Sequence, residues 1–368
     1  MVSGAESSLR SIGFVLLALG LGAIACTASP AADPSESAPS TTPAPRGNRI
    51  LAIDVNEPAD GDYDAAFRLA REAGAQAVSL SIPWDSFEVA PGQFSPDPDF
   101  LSIANLYYPG YGASLALTLA PIDTNRLRVP QDLTALRFDD PRVIERFNRA
   151  LEQALARLPD TELSILAIGN EIDVYLQADP ERCAAYASFF AATAAHARSL
   201  RPGLKVGTKA TASGLLGEGR ECLEAVNRQS DAILATYYPL RPDFSVRSPS
   251  SPAADFAELA DLAASKPIYL LEVGYPSSEH LGSSEALQAE FVQQVFRAWD
   301  AQASAIPYLC FTWLHDISDD TRDGYLGYYG LGSAKFAAFL GSLGLRTHSG
   351  QDKPAFLALA QEATARGW

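Results

Sequence analysis

The chain has 368 residues, with 28 Lys and Arg against 44 Asp and Glu and a formal net charge of −16. That balance argues against a nucleic-acid partner, which would require a basic footprint. The four cysteines include no pair at metal-ligand spacing, so neither a metal nor a cofactor is expected.

At the N-terminus, Arg10 precedes an apolar run over residues 12–25 that ends in small residues just before Cys26. This reads as a secretory signal peptide over 1–25. At about fourteen residues it is short of the roughly twenty that a membrane span needs. Ala23-Ile24-Ala25-Cys26 resembles a bacterial lipobox, which implies that Cys26 carries the lipid of an exported lipoprotein held at the periplasmic face or cell surface. Residues 27–46 are rich in Ser, Thr, Pro and Ala without an apolar period, and 26–47 is expected to be an extended tether.

From residue 48 to 368 the composition is that of a single globular domain, expected to be a monomer. Short apolar, often β-branched runs alternate with longer Ala- and Leu-rich stretches, the pattern of βα units. Strands are predicted at 50–55, 77–82, 114–120, 163–169, 205–210, 232–237, 267–273 and 307–313. Helices are predicted at 63–73, 180–200, 254–264 and 284–301, among others. The count of eight strands and the lack of a Gly-rich loop after the first predict a (β/α)8 TIM barrel rather than an open doubly wound sheet. Cys183 and Cys222 lie near the starts of helices that follow neighbouring strands, close enough to pair in an oxidising compartment, whereas Cys310 sits inside an apolar strand.

In such a barrel the chemistry belongs to residues where strands run into their following loops. Two of these positions carry glutamate: Asn170-Glu171 after the fourth strand and Glu272 at the end of the seventh. A carboxylate behind three apolar residues in a strand buried on both faces is costly unless paired or used. Strands four and seven face one another across the mouth, where two carboxyls can serve as proton donor and nucleophile in glycoside cleavage with retention. Asn170 is placed to hydrogen-bond a sugar 2-hydroxyl. Trp84, after strand two, offers an indole for sugar stacking. Asp54 and Asn56 after strand one, Asp123 after strand three, Lys209 near the end of strand five, and His315 with Asp316 after strand eight are further rim candidates. No G-x-S-x-G elbow accompanies the His-Asp pair, so a hydrolase triad is not supported.

Asn170-Glu171 and Glu272 resemble the signature of clan A glycoside hydrolases across the whole barrel. The resemblance implies a retaining O-glycosyl hydrolase acting on a β-linked polysaccharide or oligosaccharide, with Glu171 as acid/base and Glu272 as nucleophile. It also implies an aromatic after strand six, matched by Tyr237-Tyr238-Pro239, and a tryptophan platform after strand eight, matched by Trp313. Locally, Thr236 to Pro239 and Glu272 to Pro276 are similar to family 53 endo-β-1,4-galactanases. The chain departs from the clan in lacking an arginine near the end of strand two, where Val78 to Trp84 offers none; Arg126 or Arg128 could replace that charge. It also lacks the histidine-rich segment that galactanases carry after strand three. The missing arginine is the main argument for the alternative, a carbohydrate-binding barrel without turnover.

Overall fold

In the computed structural model, which describes residues 43–264 and 266–368, the apolar runs form a ring of parallel strands. These are β1 (Ile50–Ile53), β2 (Ala77–Pro83), β3 (Ser114–Asp123), β4 (Leu163–Asn170), β5 in two pieces (Val206–Gly207 and Lys209–Thr211), β6 (Ile233–Tyr237), β7 (Ile268–Val273) and β8 (Tyr308–Phe311). Neighbours in sequence are neighbours in the sheet, and β8 pairs with β1. The ring closes through β5, whose first piece pairs with β4 and whose second pairs with β6. Thr208, between the pieces, keeps contact with β4 by donating its hydroxyl to the Ile168 carbonyl at 2.8 Å. A short arm, Arg126–Leu127, folds back antiparallel on the end of β3. The expected (β/α)8 barrel is therefore the observed architecture.

Strand side chains alternate between two cores. Those pointing inward include Ala52, Ala116, Ala167 and Ala232, whose small size leaves room for Tyr269 and Tyr308, stacked with centroids 5.5 Å apart. Those pointing outward meet the helices, for example Pro141–Ala156 and Pro180–Leu200. Helix starts follow local chemistry: Asp62, Asp140, Asp179 and Ser284 each accept a backbone N–H of the first turn. The disulfide Cys183–Cys222 joins helix Pro180–Leu200 to helix Arg220–Asn227, while Cys310 remains a buried thiol.

The compact unit covers Pro43–Trp368. Its first residues are held because Asp300 gathers Arg49, Arg366 and the Ala44 amide beneath the barrel. The expected signal peptide, Cys26 and most of the tether lie outside the described residues. No described helix is long and apolar enough to cross a membrane.

Candidate active site

The end of β4 is shaped by Gly169, whose φ of +86° bends the chain. A Cβ there would lie 2.5 Å from the Tyr186 hydroxyl, which donates to the Ile168 carbonyl. Only glycine fits this turn. Glu171 follows in a left-handed conformation, with φ of +46°, outside the preference of an ordinary side chain. Its carboxyl accepts from Thr124 Oγ1 at 2.9 Å and Thr236 Oγ1 at 2.7 Å. Among the described residues no cation is paired with it. Burial first, then the charge of Glu272, raise its pKa to about 7, against the two threonine hydrogen bonds.

Glu272 owes its position to a bulge in β7. Ala235 pairs with Leu270 but Thr236 pairs with Glu272, so Leu271 is the extra residue and the inward alternation is reset. Leu271 still lines the barrel interior, and Glu272 then stands beside Thr236, the residue whose hydroxyl holds Glu171. Both glutamates thus meet at one threonine.

The surroundings of Glu272 are opposite in character to those of Glu171. Lys209 Nζ donates to Oε1 at 2.7 Å and Tyr238 Oη to Oε2 at 2.8 Å. The Lys209 side chain is only 5 % exposed. Burial disfavours its ammonium, but the charge and hydrogen bond of Glu272, helped by Glu171 and Asp123, outweigh that and its pKa is raised. Lys209 therefore supplies the charge missing from β2. Arg128 instead binds Asp85 at 2.8 Å and Tyr328 at 2.5 Å, and Arg126 lies over the Tyr328 ring.

Asn170 donates through Nδ2 to Asp123 at 2.7 Å, and Tyr328 donates to the other oxygen of Asp123 at 2.7 Å. Asp54, at the end of β1, is raised to about 7 by burial and then by Glu272, with Lys209 and the Trp313 indole acting against the shift. Trp313 is half-buried and stacks on Tyr325, with centroids 6.1 Å apart. Asp54, Asn170, Glu171, Glu272 and Trp313 therefore gather at one barrel mouth.

Three expected site residues lie elsewhere. Trp84 is fully buried, packed edge-on against Phe147, and donates to Glu88 at 2.9 Å; it has no face to offer a sugar. Tyr237 points outward from β6, where its hydroxyl donates to Asp255 at 2.7 Å and its ring packs on Phe256. Its neighbour Tyr238 is the one that reaches Glu272. His315 is buried, and its backbone N–H and carbonyl are both bound by the Asn56 side chain. Its Nε2 accepts from Arg346 at 3.0 Å, since guanidinium only donates, and burial followed by Arg346 depresses its pKa to about 4. Asp316 binds Lys353 and the Gly344 amide rather than His315.

The sequence reading missed Thr124 and Thr236 and ranked Lys209 and Asp123 low. Thr236 was accessible in principle, because inward alternation along β6 runs Ala232, Leu234, Thr236. The β7 bulge has no such signal.

No protein-family model matches the sequence, and no curated protein matches it. Solved structures do. The exo-β-1,4-mannosidase Op5Man5 from Opitutaceae bacterium strain TAV5 is 16 % identical with a TM-score of 0.69, over 86 % of this chain and 60 % of that one. A variant of GH5_18 from Streptomyces cattleya in complex with Manβ1-4GlcNAc is 18 % identical with a TM-score of 0.67, over 86 % and 80 %. A family 39 glycoside hydrolase from Bacteroides cellulosilyticus WH2 is 16 % identical with a TM-score of 0.59, over 87 % and 65 %. The chain thus spans about three-fifths of the mannosidase. These neighbours are clan A glycoside hydrolases, and what the chain shares with them is the (β/α)8 barrel.

Proposed function

We propose that the chain is a retaining glycoside hydrolase for a β-linked oligosaccharide or polysaccharide, with Glu171 as acid/base and Glu272 as nucleophile. The observation that carries this reading is the unequal setting of two neighbouring carboxyls. Glu171, desolvated and pushed up to about 7, keeps a proton to give, while Glu272 accepts hydrogen bonds from a buried ammonium and a phenol.

In the first step a Glu272 oxygen bonds to the anomeric carbon as the bond to the leaving oxygen breaks, and the Glu171 proton passes to that oxygen. The resulting ester removes the Glu272 charge, the second-largest cause of the Glu171 shift, so Glu171 becomes more acidic and remains ionised. It then takes a proton from water, whose oxygen attacks the anomeric carbon and releases Glu272 as carboxylate. Nδ2 of Asn170 has a second hydrogen for the sugar 2-hydroxyl, and Trp313 offers the platform beneath the ring.

The non-catalytic alternative rested on the missing arginine, and Lys209 weakens it. Among substrates, β-1,4-mannosides come first because of the mannosidase and GH5_18 neighbours; the local likeness of Thr236 to Pro239 to galactanases places β-galactan second. We also propose, on the apolar run and Cys26, that the protein is exported and lipid-anchored, acting as a monomer on carbohydrate without nucleic acid. Metabolic labelling with a radioactive fatty acid, lost in Cys26→Ser, tests the anchor.

The catalytic test uses dinitrophenyl glycosides, whose leaving group needs no proton. In Glu171→Ala the glycosyl-enzyme accumulates, and azide restores turnover with retained configuration; in Glu272→Ala azide gives the inverted product. Interchanged stereochemistry reverses the roles. Absence of rescue in both variants, with a wild type inactive on dinitrophenyl β-mannoside, β-galactoside, β-glucoside and β-xyloside alike, favours the binding protein.

A further inference from the structure

After β8 the chain forms a helix, Asp319–Tyr329, that has no buried residue and carries Gly324 and Gly327 with open space around them. Such a helix has little intrinsic reason to persist against the barrel, since glycine disfavours helix and nothing apolar is fully covered. It is held by contacts reaching away from its own strand. Asn125 Nδ2 donates to the Tyr329 carbonyl at 2.9 Å, and Tyr328 is bonded to both Asp123 and Arg128. These partners lie at and just beyond the end of β3. The helix therefore spans from the end of β8 to the end of β3, with β1 and β2 between them in the ring order.

Its inner face continues the sugar platform. Tyr325 stacks on Trp313, and Tyr329 lies beside Tyr325 at 6.2 Å and 25°. Burial and then the charges of Asp54, Asp123 and Glu272 raise the pKa of Tyr325, and burial and then Asp123, Glu171 and Glu272 raise that of Tyr329, in keeping with rings that face the mouth beside Trp313. A sugar ring with its anomeric carbon between the glutamates directs its leaving group toward Glu171, on β4. Its far hydroxyls then face the β8–β1–β2 side, where Asp54 and the helix stand.

We infer that helix Asp319–Tyr329 walls off the non-reducing side of the mouth, so that the protein removes one terminal sugar at a time and has no room for a preceding unit. This rests on the glycosidase reading and deepens it. Asp54 would be the carboxyl that reads the terminal hydroxyls, a contact that a chain extended or capped at that end cannot make.

The test uses the full chain with β-1,4-linked manno- and galacto-oligosaccharides of two to six units, free or capped at the non-reducing end by a 4,6-O-benzylidene acetal. Early products are resolved by chromatography. Monosaccharide and the oligomer one unit shorter as the only initial products from each free substrate, with cleavage strongly slowed by capping, are expected. In the Tyr325→Ala/Tyr329→Ala variant, capped substrates should gain on free ones by about tenfold, the scale on which one pocket contact discriminates. Internal products, or equal cleavage of capped and free oligomers, would overturn the wall while leaving the glycosidase standing. Exo products with an unchanged ratio in the double variant would overturn the helix as their cause. If neither oligomers nor dinitrophenyl glycosides are cleaved, the glycosidase reading falls, and this inference with it.

Discussion

Replacing Lys209 with Met keeps the length of the side chain and removes its charge from a site where that charge is nearly sealed from water. The Nζ to Oε1 contact is 2.7 Å, with the lysine side chain 5 % and the glutamate side chain 23 % exposed, so solvent screens the pair weakly. An opposite charge at this range typically shifts a carboxylate by about 1 to 3 pH units toward ionisation. Without it, the nucleophile takes up a proton more readily, and the acid limb of kcat/KM should move to higher pH by about that amount. At a pH below both limbs this amounts to a loss of about 10- to 1000-fold in kcat/KM. The profile should be recorded with an activated aryl glycoside, so that proton donation by Glu171 does not obscure it. Lys209→Arg, which keeps the charge, should leave the limb nearer to wild type. If Lys209→Met folds, as judged by circular dichroism and Tm, and its limb and rate match wild type, the ammonium plays no part in supporting Glu272.

The remaining predictions concern Glu171, the two tyrosines and the disulfide. With Glu171 raised to about 7, kcat/KM should fall as pH rises through about 7 on substrates with poor leaving groups, and much less on activated ones. The same raised value means that the folded state binds the proton more tightly than the unfolded state. The native fold is therefore disfavoured as pH climbs from about 4.5 to 7, and Glu171→Gln should raise stability at pH 8 by about 3 kcal/mol but not at pH 4; urea unfolding at both values reads it. Tyr238→Phe should lower kcat by about tenfold or more through loss of a hydrogen bond to a charged partner, whereas Tyr237→Phe should lower Tm and leave kcat near wild type. Replacing Cys183 and Cys222 with Ser should cost about 4 kcal/mol, from the chain entropy of a loop with a sequence separation of 39, with activity retained at low temperature.

How far the sequence alone could be read follows from which features are periodic and which are not. The barrel was legible because each strand is an apolar run bounded by turn residues, and each following helix is longer and richer in Ala and Leu. The predicted and observed helix 180–200 coincide, since Asp179 caps it and Leu200 precedes the Arg-Pro-Gly turn. Strand five was predicted as one run but is split at Thr208, because the chain must leave β4 and join β6 to close the ring. Such a division depends on barrel geometry and has no local sequence mark.

For the site, the glutamates stood out because an acidic residue at the end of an apolar strand is anomalous. Their partners did not stand out, because threonine, lysine and tyrosine at strand ends are ordinary. Tyr237 and Tyr238 show why: adjacent residues at a strand end point to opposite faces, so the choice between core and site turns on parity alone. Thr236 faces Glu171, Tyr237 must then face Phe256, and Tyr238 returns to the mouth and reaches Glu272. Trp84 fails as a sugar platform for a related reason. β2 runs straight into a four-residue helix, Trp84–Phe87, that turns the indole into the layer beside Phe147. The bulge at Leu271 works in the opposite direction, adding a residue that brings Glu272 back to the inward face. Deleting Leu271 would leave Glu272 directly after Leu270, still opposite Thr236 and still inward by parity, but without the local bend of the bulge. Deletion of Leu271 should therefore abolish turnover in a barrel that still folds, as judged by circular dichroism, if the bulge itself sets the aim of the nucleophile. Activity near wild type in that variant would show that inward parity is sufficient and the bulge dispensable.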